Sequence, residues 1–137
     1  LDKKLPVGLR LQFIDVVVES IPALIARDIP NGKQLLYPFC NILCDQSPDP
    51  VIAKRIYQKV VEPLVSTRGE AYFGENPEWS LKFLRGLSMQ LNNAIKTKTG
   101  NREIDDIRST ATLSCREAVV DILTKMNKLS TTTTTVE

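Results

Sequence analysis

The sequence predicts an all-α chain. Three observations carry that expectation. Apolar residues recur every three or four positions over most of the length. Pro and Gly fall mainly between these stretches, as helix starts and turns. The one β-branched run that suits a strand, Val16-Val17-Val18, has no second convincing strand to pair with. Amphipathic helices joined by short turns would stack as side-by-side hairpins, a right-handed armadillo- or HEAT-like array of about six helices. No fixed-period repeat establishes such an array.

The elements follow in order. Pro6 suits a first helical turn, and the run from it to about Ser20 is apolar on nearly every side. Phe13, Ile14, Val16, Val17, Val18 and Ile21 do not fit one stripe, so the expectation is a helix buried all round. On that reading Phe13→Asp would bury an unpaired charge and collapse the fold. Pro22 permits a short second helix through Arg27, and Ile29-Pro30-Asn31-Gly32 reads as a turn. A third helix runs from about Lys33 to Asp45 and is kinked at Pro38, or else it starts at Pro38. Asp49 and Pro50 form an N-cap and first residue for a fourth helix, which carries Val51, Ile52, Ile56, Val60 and Leu64 and is bent or ended by Pro63.

Residues Ser66 to Asn76 read as a loop punctuated by Gly69 and Gly74. Asn76-Pro77-Glu78 starts a fifth helix with Trp79, Phe83, Leu87, Leu91 and Ile95 four apart. A polar break, Lys96 to Arg102, precedes the best-patterned helix, with Ile104, Ile107, Ala111, Cys115, Ala118, Ile122 and Met126 at steps of three or four. Residues 1–129 are thus expected to form one helical domain, the C-terminal part of a larger one. Residues 130–137, with five consecutive Thr, are expected to be a disordered tail.

With 137 residues, 42% of them hydrophobic and 25% charged, the chain has enough apolar surface for a core without disulfides or metal. The net charge of +2 is too small to argue for nucleic acid or a membrane surface. No apolar run approaches the roughly 18 residues of a membrane span, and no secretory signal is visible. The chain opens on Leu1, which is expected of a fragment whose upstream part is missing. Cys40 and Cys44 are four apart and would share a helix face. A metal or redox pair is the sharper interpretation. Two small buried hydrophobes are the simpler one, favoured because the chain has no His, the commonest partner ligand. An odd total of three Cys fits reduced thiols in the cytosol or nucleus.

Without His, nucleophilic triads and His general bases are excluded, and a Cys nucleophile lacks its usual partner. The scattered glycines build neither a P-loop nor a dinucleotide fingerprint. Asp15 and Glu19 are four apart and would suit metal or acid–base work, but an Arg-paired or solvated helix edge is the simpler expectation. Glu103, Asp105 and Asp106 open a helix, where negative charge complements the dipole. Trp79 and Phe83 read as core. The basic residues Lys54, Arg55 and Lys59 on the fourth helix, and Lys96, Lys98 and Arg102 in the polar break, are the candidate contacts to RNA or a protein partner. An ordinary solvated face is the competing interpretation.

Three segments carry a family resemblance. They are Pro6-x-Gly8-Leu9-Arg10 followed by Phe13-Ile14-Asp15 and Glu19, then Leu35-Leu36-x-Pro38-Phe39-Cys40, then Lys54 to Val65 with Val60-Val61-Glu62-Pro63-Leu64. In order and separation they resemble the conserved domain of the ribosomal RNA processing protein 1 family, eukaryotic nucleolar factors of large-subunit assembly. The match covers Pro6 to Val65, under half the chain. Gln12 stands where family members usually carry His, a more acidic stretch is usual at Val18-Glu19-Ser20, and the Trp-rich helices that normally come first are missing. The resemblance implies a non-enzymatic scaffold in the nucleolus, needed for ribosomal RNA maturation. It would need no cofactor and take no small-molecule substrate, and it would bind other pre-ribosome assembly proteins and, in one version, ribosomal RNA. Gly8, Arg10, Asp15, Pro38 and Phe39 are its motif residues, and Arg10 and Asp15 are expected to position the first helix through an ion pair or cap. The alternative is a HEAT- or armadillo-type adaptor in the cytoplasm, unrelated to ribosomes. An enzyme is disfavoured by the missing motifs.

Overall fold

A computed structural model describes residues 5–45 and 49–136, with side chains described up to residue 127. The all-α class is as expected, and no strand occurs among the described residues. Helix α1 spans Val7–Arg27 and continues through Pro22 without the expected break. One face of it holds both halves in register: Ile14, Val18, Ile21 and Ile25 are buried at steps of four, three and four. The opposite face corrects the expectation of a helix buried all round. Phe13 is 52% exposed and Val16 69%, and Leu9 and Leu24 are also exposed. The helix is amphipathic with two apolar faces, of which only one meets the core.

The expected turn at Ile29 to Gly32 is a short helix, α2 (Ile29–Lys33). Asp28 caps it, accepting from the Asn31 amide at 3.4 Å. Gly32 is needed for close approach, since a Cβ there would lie 2.6 Å from the Ile25 Cα. Helix α3 (Leu36–Leu43) takes neither of the two forms expected around Pro38. Pro38 is its third residue, where the missing N–H removes no intrahelical bond and no kink follows. Phe39 and Cys40 beside it are buried.

The central rod runs from Pro50 to Ser66. It comprises α4 (Pro50–Ile56), a π-helical turn (Tyr57–Val61) and α5 (Glu62–Ser66). Asp49 caps it as expected, accepting from the amides of Val51 at 2.9 Å and Ile52 at 3.2 Å. Pro63 neither bends nor ends the rod. It has no N–H for the carbonyl of Lys59, and that carbonyl accepts instead from the Tyr72 hydroxyl at 3.2 Å. The preceding turn widens, with Glu62 N–H bonding to Tyr57 O five residues back.

Arg68 and Gly69 both have positive φ, 53° and 87°, and reverse the chain after the rod. The stretch expected as loop contains α6 (Glu70–Phe73), whose Tyr72 and Phe73 are buried. Helices α7 (Pro77–Ile95) and α8 (Arg102–Val136) then form a long hairpin. Asn76 caps α7 through the Trp79 amide at 3.2 Å, and Asn101 caps α8 through the Ile104 amide at 3.2 Å. The backbone of α8 is helical through Val136, over the stretch expected to be a loose Thr-rich tail. The side chains of residues 128–137 lie outside those described.

The core lies where α1, α3 and the α7–α8 hairpin close around the rod. Two ion pairs join α1 to the start of the rod: Arg55 to Asp15 at 2.8 Å, and Arg10 to Asp49 at 3.8 Å. Both are partly solvated, so each contributes about 1 kcal/mol or less. They add to the orientation that burial of Ile14, Val18, Ile21 and Ile25 imposes, with Leu9, Phe13 and Val16 facing out.

Candidate interaction surfaces

The two sets of basic residues named as candidate contacts, Lys54, Arg55 and Lys59 and then Lys96, Lys98 and Arg102, take different places in the fold. Arg55 is half-buried and committed to Asp15. Lys59 is exposed on the π-helical turn, Lys96 caps the end of α7, and Lys98 is exposed in the connection to α8. Lys54 and Arg102 do meet, across a cleft of about 470 Å³ between the rod and α8. Three carboxylates, Glu62, Glu103 and Asp106, line the same cleft, and Asp106 lies 4.0 Å from Arg102. Two cations beside three anions make a surface of mixed charge. The Tyr57 phenol beside them is pushed above its ordinary value by burial first and by Glu62 second.

The motif residues divide. Arg10 and Asp15 make the ion pairs expected of them. Gly8 is exposed and a Cβ there would meet nothing within 4 Å, so no packing demand explains it. Pro38 is exposed and Phe39 buried. What sequence reasoning missed is the outer stripe of α1. Leu9, Phe13 and Val16 lie at steps of four and three, with Gln12, Glu19 and Ser20 exposed beside them. The signal was present, because Ile14, Val18, Ile21 and Ile25 already complete one buried face and leave the others over.

The cysteines behave as small hydrophobes. Cys40 and Cys115 are buried and reduced, and loss of solvation pushes both thiols up to about 12. Cys44 is half-buried; burial raises its thiol and the nearby Arg108 partly offsets that. Among the described residues, no group of three or more His, Cys, Asp and Glu is placed to hold a metal ion, and no helix is long and apolar enough to cross a membrane.

Trp79 is half-buried rather than core. Its ring carries Lys33 Nζ at 4.3 Å, a cation–π contact that ties α2 to α7, and Lys82 Nζ of its own helix at 5.2 Å from the centroid. Arg108, which the sequence reading did not single out, is only 2% exposed on the core stripe of α8. Its Nε donates to the Leu43 carbonyl at 2.6 Å, and its Nη2 donates to the Asp45 carbonyl. It serves as the C-terminal cap of α3 from across the core.

The fold and its surface define an all-α domain with outward apolar faces. No family model, curated protein or solved structure matches the chain.

Proposed function

We propose that this chain is a non-catalytic helical scaffold that binds proteins through the outer face of α1, and that its setting is assembly of the large ribosomal subunit in the nucleolus. One observation carries the binding reading. Leu9, Phe13 and Val16 form an exposed apolar stripe, edged by Glu19, on a helix whose other face is used by the core. Contiguous exposed apolar surface of this kind marks interaction sites. The setting rests on resemblance: Leu9 and Phe13 of the stripe belong to the first of the three segments that resemble the ribosomal RNA processing protein 1 family. The rod and the α7–α8 hairpin are read as parts of a stacked-hairpin array of HEAT or armadillo kind. The partners are other pre-ribosome assembly proteins. Contact with ribosomal RNA is the weaker part, because the cleft joining Lys54 and Arg102 is lined by three carboxylates.

The mixed charge of that cleft also favours a second reading, a cytoplasmic adaptor unconnected with ribosomes. Sucrose-gradient sedimentation of a tagged chain from eukaryotic cells, with imaging of its location, separates the two. Co-sedimentation with large-subunit precursors and nucleolar signal support the first. A cytoplasmic protein at the top of the gradient leaves only the adaptor.

A further inference from the structure

A second surface, independent of the α1 stripe, lies on the α7–α8 hairpin. A groove of about 490 Å³ runs between the two helices, floored by Met89, Val119 and Val120. Met89 is 67% exposed and Val120 59%, so neither belongs to the core. Arg85 and Arg116 flank the floor, both exposed, and no carboxylate lines the groove. Neither arginine makes an ion pair among the described residues; Arg116 donates to Asn92 Oδ1 at 2.8 Å. The cleft at Lys54 and Arg102 has three carboxylates in its lining beside the two cations, whereas the lining here has cations alone.

An apolar floor between two parallel ridges suits the apolar stripe of a third helix, and two unpaired arginines at the rim select its flanking charge. The geometry points to an acidic amphipathic helix of another protein as the occupant of this groove. From Arg85 to Asn92 the groove runs about 10 Å along α7, room for roughly two turns. The apolar residues of the incoming helix cover Met89 and Val120, and Asp or Glu on its flanks pair with Arg85 and Arg116.

The test uses the full chain and two fluorescein-labelled synthetic helical peptides that share one Leu stripe at i, i+3, i+4 and i+7. One carries Glu on its flanks and the other Lys. Anisotropy titration is expected to show saturable binding of the Glu peptide, at least about tenfold tighter than the Lys peptide and weakening with salt. Arg85→Glu/Arg116→Glu should reverse the preference. Met89→Ser/Val120→Ser should weaken both peptides by about tenfold, with the urea midpoint unchanged because all four side chains are exposed. Equal binding of the two peptides, or an unchanged preference after charge reversal, overturns the proposal. So does a concentration-dependent dimer in sedimentation that Met89→Ser/Val120→Ser dissolves, since a second copy would then fill the groove.

Discussion

Arg108 Nε donates to the Leu43 carbonyl at 2.6 Å, joining the second turn of α8 to the end of α3 across 65 residues of sequence. The guanidinium is buried and reaches the Asp45 carbonyl as well, so carbonyls that α3 cannot satisfy itself find a charged donor. Arg108→Met should therefore cost about 2–4 kcal/mol, since it leaves these carbonyls short of a donor while keeping the apolar stem. Urea denaturation followed by circular dichroism measures it. Arg108→Lys should recover only part, because one ammonium lacks the fork that spans two carbonyls.

Tyr72 plays the corresponding part for the rod. Its hydroxyl fills the place of the N–H that Pro63 lacks, on the carbonyl of Lys59. Tyr72→Phe should destabilise by about 1 kcal/mol, read as a lower urea midpoint with an unchanged slope. In the background of Pro63→Ala, where a backbone N–H is restored, the same change should cost less.

Three buried groups predict sensitivity to alkali. Cys40 and Cys115 are pushed from 9.0 up to about 12, and Tyr72 from 10.0 up to about 12, each by burial first. In each case the folded-state value lies above the unfolded one. Below pH 9 both states hold the proton and the contribution is complete. As pH rises from about 9 toward 12, the unfolded chain ionises first and stability falls. Urea midpoints at pH 7.5, 9.5 and 10.5 should decline in that order, and Cys115→Ala should flatten the decline. In the native protein at pH 8, a thiol reagent should label half-buried Cys44 first and reach Cys40 and Cys115 only on unfolding.

Two glycines should respond in opposite directions. Gly86 lies inside α7 with nothing within 4 Å of an added Cβ, so Gly86→Ala should stabilise by about 0.5–1 kcal/mol. Gly32 lies against the backbone of Ile25, and Gly32→Ala should lower the melting temperature by separating α2 from α1.

Much of the fold was legible because its signals are local. Asp49-Pro50 and Asn76-Pro77 start helices where the sequence says, and the stripe from Ile104 to Ile122 is buried as spaced. What periodicity cannot supply is which of two apolar faces meets a neighbour. On α1 both Ile14 and Phe13 look like core, and it is the partners of the Ile14, Val18, Ile21 and Ile25 face, with the ion pairs of Arg10 and Asp15 in the same orientation, that put Ile14 in and Phe13 out. The π-helical turn and the role of Tyr72 were illegible for a related reason. Pro63 announces a lost bond, but its replacement comes from a residue in another element. Arg108 did leave a trace, as the one charge between Ile104 and Ala111 on an otherwise apolar stripe. Spacing placed Lys54 and Arg102 on their helices without counting Glu62, Glu103 and Asp106, which line the same cleft.

The account turns on α1 showing its family-like segment to a partner rather than to the core. The direct measurement compares Phe13→Asp with Ile14→Asp, by urea denaturation of each purified chain and by co-sedimentation of each with large-subunit precursors. Phe13→Asp should keep its stability within about 0.5 kcal/mol of the parent and lose co-sedimentation, while Ile14→Asp should not fold. A Phe13→Asp chain that unfolds, or one that folds and still travels with the precursors, would contradict it.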